Sequence, residues 1–139
     1  MTPIERIAHR VNLNGDVNDP QTPRPLLTIA EFFEGNEPPE RLGCNIAPGM
    51  QPAEISSLLR RIAARYDVAD VLVEIAMFDD EAWPFTDTVW VITAADTEQV
   101  VKWFGDSRPA ECWIGWTTGV EFEPCLVPDG MRPVACWWD

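Results

Sequence analysis

The sequence predicts an α+β fold: an antiparallel sheet of four or five strands with two or three helices packed on one face. Two observations carry this. Helical and strand-like segments are grouped along the chain rather than strictly alternating, which argues against a parallel sheet with crossover helices. Two β-branched runs, residues 71–78 and 86–94, flank a long acidic loop and read as an antiparallel hairpin. At 139 residues with 46% hydrophobic and 24% charged residues, the chain forms one domain, 1–139, large enough to bury a core.

The elements follow in order. Thr2 as cap, Pro3 at the first helical position, Glu5 three after the cap, and Ile4, Ile7, Ala8 and Val11 at helical spacing predict a short helix. The alternation of Ile7, His9, Val11 and Leu13 before Asn14-Gly15 fits a strand, so both readings stay open for residues 2–13. Residues 14–26 are rich in turn formers and read as a loop or arm. Thr28 and Glu31 make a capping box, Leu27 and Phe32 a hydrophobic staple, and Gly35 a stop, giving about two turns of helix. Residues 34–53 return to loop chemistry. After Pro52, Ile55, Leu58, Leu59, Ile62 and Tyr66 share one helical face, with Glu54 near the start and Arg60, Arg61 and Arg65 near the end, as the macrodipole favours. The hairpin follows, with its turn at residues 79–84. Asp96 and Gln99 cap a helix over 96–104 that buries Val100, Val101 and Phe104 and stops at Gly105. Residues 112–116, 120–122 and 134–138 are strand-like.

Ten basic against 23 acidic residues give a net charge of −13, which removes the electrostatic footprint of a nucleic-acid or anionic-membrane binder. The first twenty residues carry five charges and no apolar run of signal-peptide length, predicting a cytoplasmic protein. No run approaches the length of a membrane span. Cys44, Cys112, Cys125 and Cys136 contain no C-x-x-C pair and read as free thiols. Their gaps of 68, 13 and 11 positions do not fit zinc. The single histidine, His9, has no nucleophile or carboxylate in a recognised spacing, and no glycine-rich phosphate loop occurs. The reading is therefore a non-enzyme without metal or cofactor.

The charge is unevenly placed. Residues 1–65 carry eight acids and seven bases, whereas residues 66–139 carry fifteen acids and three bases. Such unrelieved like charge costs stability, and long-range attraction to a basic protein partner would explain its retention; solubility alone is the plainer account. Trp83 stands beside Asp79, Asp80 and Glu81, with Asp87 close behind. An aromatic anchor in an acidic rim predicts a partner-binding site at Asp79, Asp80, Glu81, Trp83 and Asp87; folding of Trp83 back onto the hairpin is the alternative.

The segments R-P-L-L-T-I-A-E-F-F-E-G-N (24–36), L-G-C-N (42–45), W-P-F-T-D-T-V (83–89) and C-W-W-D (136–139) together resemble a family of small stand-alone bacterial proteins of unassigned activity. By size, acidity and tryptophan content the chain also resembles, in type, the cytosolic immunity proteins of polymorphic toxin systems. That likeness implies a binder that occludes a basic toxin domain and transfers no functional residue. The rival expectations are a structural or regulatory module with an endogenous partner, and an enzyme running on carboxylates alone.

Overall fold

The computed structural model of the chain describes residues 1–34, 45–79 and 83–139. The opening segment is helical: α1 spans Pro3–Val11, with the Glu5 N–H donating to Thr2 Oγ1 at 3.2 Å and Ile7 and Val11 buried. Proline at the first position and a satisfied cap outweigh the alternating pattern, so the strand alternative falls. Next come β1 (Leu26–Thr28) and α2 (Ile29–Phe33). The Thr28–Glu31 box forms at 3.1 and 2.9 Å. However, α2 has five residues rather than two turns, because the backbone at Glu34 is already extended. The expected stop at Gly35 lies outside the described residues.

α3 (Pro52–Ala63) buries Ile55, Leu58, Leu59 and Ile62, as their spacing predicts. Each such side chain contributes roughly 1.5–3 kcal/mol when fully removed from water. Tyr66 does not join them. The helix ends at Ala63, so the 3.6-residue period no longer aims Tyr66 at the core, and it is 94% exposed. β2 (Val68–Glu74) and β3 (Thr88–Thr93) form the expected hairpin. Both are shorter at the turn end than the sequence suggests: beyond Glu74, the pairing between these two arms among the described residues is one isolated bridge, Met77 to Phe85. α4 (Thr97–Trp103) carries the predicted Asp96–Gln99 box. It stops at Gly105, whose φ of +57° favours glycine. Val100 and Phe104 are buried, whereas Val101 is only half-buried. A single 3-10 turn, Gly105–Ser107, leads to β4 (Glu111–Ile114) and finally β5 (Arg132–Trp137). The expected strand at 120–122 reduces to one parallel bridge, Arg24 to Phe122.

The sheet has five strands in the order β1-β2-β3-β5-β4, every pair antiparallel. Period-two alternation splits its side chains between two faces. One face presents Leu27, Val71, Val73, Val89, Val91, Val134 and Cys136, and the buried residues of all four described α-helices pack there. Helices on one face match the expectation, with four α-helices described rather than two or three. The other face presents Leu72, Trp90 and Ala135, with Leu26, Trp113, Phe122 and Cys125 against them, and no helix among the described residues covers it.

One polar network ties the arm to α1, α2 and the segment between β4 and β5. Glu123 is 13% exposed and accepts from Arg10 Nη1 and Nη2, each at 3.0 Å. It also accepts from Asn14 Nδ2 at 2.6 Å and from the Leu26 N–H at 2.7 Å. Arg10 turns its Nε to Glu31 at 2.8 Å and donates to Leu26 O. Filling its lone pairs offsets the cost of burying this carboxylate, and losing it would leave the Leu26 N–H without its acceptor and Arg10 with only part of its pairing.

Candidate functional site

The helix-free face is built around Trp90. On β3 it stands opposite Leu72 on β2 and Ala135 on β5, and the small Ala135 leaves room for rings from beyond the sheet. Trp113 meets Trp90 edge-on at 6.4 Å, Phe122 at 5.4 Å, and Trp116 lies over it at 4.6 Å. Trp90 is fully buried, whereas Trp116 is 37% exposed and Trp113 half-buried. The cluster is therefore an aromatic floor of edge-on and tilted rings, with its outer rings in contact with water.

Carboxylates border this floor. The Trp90 Nε1–H donates to Glu74 Oε1 at 2.8 Å. Burial, with a smaller push from the Asp87 charge, holds the Glu74 carboxyl above its ordinary value against the pull of the indole N–H and of Arg24. The Arg24 guanidinium is itself tied to the carbonyls of Asp19, Thr22 and Ala76. Asp87 accepts from Trp137 Nε1 at 3.3 Å and from Thr88 Oγ1 at 2.9 Å. Exposed Glu111 is the cross-strand neighbour of Trp137. Such a face can bind a cation by charge and by contact with ring faces.

The structure disperses the site expected from sequence. Asp87 belongs to this face and Asp79 is exposed; Asp80 and Glu81 lie outside the described residues. Trp83 is not a displayed anchor: it is 4% exposed, sits among the helix-side core and donates its Nε1–H to Phe32 O at 2.8 Å. Its folded-back alternative holds, because a buried indole needs an acceptor and the end of α2 supplies one. Sequence reading missed Glu74 and Trp90 as a pair, although the hairpin register, Glu74 opposite Thr88, would have put them diagonally adjacent.

A second constellation lies on the helix side. Cys112 and Cys136 face each other across β4 and β5 with their sulfurs 4.0 Å apart. Cys112 is half-buried and Cys136 fully buried. Cys112 lines an open pocket of about 590 Å³ with Glu98, Lys102 and Arg108. Cys125 is also a free thiol, its ionisation opposed by burial and by the Asp70 charge. Cys44 lies outside the described residues. Among the described residues, no three or more His, Cys, Asp or Glu side chains are grouped to hold a metal ion, and no helix is long and apolar enough to cross a membrane.

Comparison with known proteins places the chain. A family described as the uncharacterized protein YfbO family matches residues 2–137. The chain belongs to the YfbO family. Uncharacterized protein YfbO of Escherichia coli (strain K12) is 49% identical over 140 residues, covering all of both chains. The resemblance to a family of small bacterial proteins of unassigned activity thus holds for this YfbO-family protein. No solved structure matches it. Neither description names a partner or a reaction.

Proposed function

We propose that the protein is a non-catalytic binding protein that docks a basic protein segment on the helix-free face of its sheet. The immunity protein, which occludes a basic toxin domain in the cytoplasm, is the specific form of this reading. The observation that carries it is the Glu74 carboxyl, held on an aromatic floor beside Asp87, with burial and like charge both disfavouring its ionised form. A guanidinium or ammonium arriving there would offset both penalties by its attraction for the charged carboxylate. Trp116 and Trp113 would supply contact area, while the acidic excess of residues 66–139 would steer the encounter. Compared with the site expected from sequence, the proposal keeps Asp87, releases Trp83 to the core and adds Glu74, Glu111 and Trp116.

Indole N–H signals give a two-sided test. Trp90 and Trp137 bond to Glu74 and Asp87 on the proposed face, whereas Trp83 and Trp138 bond to Phe32 O and Ser107 O. Titration with an arginine-rich peptide, followed by heteronuclear NMR, should move the Trp90 and Trp137 signals and leave those of Trp83 and Trp138 in place. The Glu74→Gln, Asp87→Asn double variant should weaken binding by roughly tenfold or more, as expected for loss of charge-assisted contacts. Shifts at Trp83, or unchanged binding by the double variant, would refute the assignment.

A further inference from the structure

We propose that Cys112 and Cys136 are a dithiol site that exchanges with small disulfides bearing carboxylate groups, Cys112 forming the first bond and Cys136 closing a cross-strand bridge. The pair lies on the helix side of the sheet, so the idea is independent of the docking face.

The Gly115 N–H donates to Pro133 O at 2.8 Å. Hydrogen-bonded pairs alternate along an antiparallel ladder, so Trp113–Ala135 is the next such pair and Cys112–Cys136 between them and the strand start is of the non-hydrogen-bonded kind. In such pairs the Cα atoms approach to about 4.5 Å, within the span of a disulfide. The two thiols are oxidisable without moving either strand far, and 24 positions of chain separate them.

The two sulfurs differ in access. Cys136 is fully buried between β3 and β4, its neighbours in the sheet. Cys112 opens onto the pocket of about 590 Å³, a size that admits a small organic ligand. Charge selects among such ligands. Residues 66–139 hold only three cationic side chains, Lys102, Arg108 and Arg132, and two of them line this pocket with a single acid, Glu98. In a chain this acidic, a cation-lined pocket around a thiol favours an anionic reactant. Hydrogen bonding with Cys136 also holds the Cys112 thiol below its ordinary value, while the same pairing and burial hold Cys136 well above.

The chemistry balances as two exchanges. The Cys112 thiolate attacks one sulfur of the small disulfide, whose S–S bond breaks and releases one thiolate. Cys136 then gives up its proton to that thiolate or to water and attacks the Cys112 sulfur, breaking the mixed bond and releasing the second thiolate. Two protein thiols are oxidised and the small disulfide is reduced to two thiols.

The test treats the reduced, folded full-length chain with glutathione disulfide and follows intact mass and peptide maps. The wild type should lose two hydrogens and yield a linked Cys112–Cys136 peptide pair, with a transient adduct on Cys112. Cys136→Ser should stop at that adduct. Lys102→Gln with Arg108→Gln should react about tenfold more slowly with glutathione disulfide but no more slowly with cystamine, a cationic disulfide. If Cys136→Ser disturbs the ladder, the order of species in the wild-type time course decides the same question. Reaction at Cys125 or Cys44 in preference to Cys112, a wild-type product that stays a mixed disulfide, or equal slowing with both probes would overturn the proposal.

Discussion

Replacing Glu123 by alanine removes the acceptor at the centre of the network that joins α1, the arm and β1. Four hydrogen bonds go at once: two from the Arg10 guanidinium, one from Asn14 and one from the Leu26 N–H. Breaking a buried pair by deleting one partner costs about 3–5 kcal/mol, and an orphaned backbone N–H alone costs about 1–3 kcal/mol. The lower end applies here. Arg10 is 22% exposed and keeps Glu31 and Leu26 O, so its charge is not fully stranded. The expected loss is about 3 kcal/mol, a large share of the roughly 5–15 kcal/mol total of a small domain, and about 10 °C in melting temperature. Urea denaturation at neutral pH, followed by far-UV circular dichroism, measures it as a lower midpoint with an unchanged slope. Glu123→Gln should fall between the two, because its amide oxygen can still accept the Leu26 N–H but its NH2 group opposes Arg10. A Glu123→Ala loss below about 1 kcal/mol would refute the argument that this carboxylate fastens the arm.

Four further outcomes are expected. Because the Glu74 carboxyl is held above its unfolded value, the folded state binds more protons over that interval and wild-type stability falls as pH rises through it. Glu74→Gln should therefore be at least as stable as wild type near neutrality, its advantage shrinking towards about pH 4; melting curves across about pH 4–8 would show the reverse trend if the carboxylate were stabilising. Trp83→Phe, which removes the indole donor from Phe32 O, should lower stability by about 1–2 kcal/mol, whereas Trp116→Ala should weaken binding of the basic peptide more than it weakens the fold. Asp96→Ala removes the cap of α4 and should cost about 1 kcal/mol in urea denaturation; no change would mean that packing of Val100 and Phe104 alone sets that helix.

What could be read from sequence was local. Caps at Thr2, Thr28 and Asp96 depend on residues three apart, so they are visible in the string and recur in the structure. The hairpin was legible because both of its strands are rich in β-branched residues. Tyr66 shows the limit of periodicity: it keeps the helical spacing, but the helix ends before reaching it. The place of β5 between β3 and β4 was not legible, since nothing local distinguishes a last strand that inserts from one that adds to an edge. The candidate site depends on that insertion. Ala135 arrives beside Trp90, and Trp116 and Phe122 fold over it, through contacts between residues far apart in the chain. Trp83 misled for the same reason: its acidic neighbours are adjacent in sequence, but its acceptor is 51 positions away.

The strand order also bears on how the molecule resists sticking to its own copies. The outermost strands are the shortest, β1 with three residues and β4 with four, while the longer β2, β3 and β5 are enclosed. A short edge, flanked by Pro25 or Pro109 and carrying Glu111, offers another chain few amides to pair with, which is how natural sheets discourage intermolecular strand addition. β4 is thus a guard for β5, whose V-A-C-W run would become a template for aggregation if the guard peeled away. Damage to β4 should announce itself as association between molecules before any helix is lost.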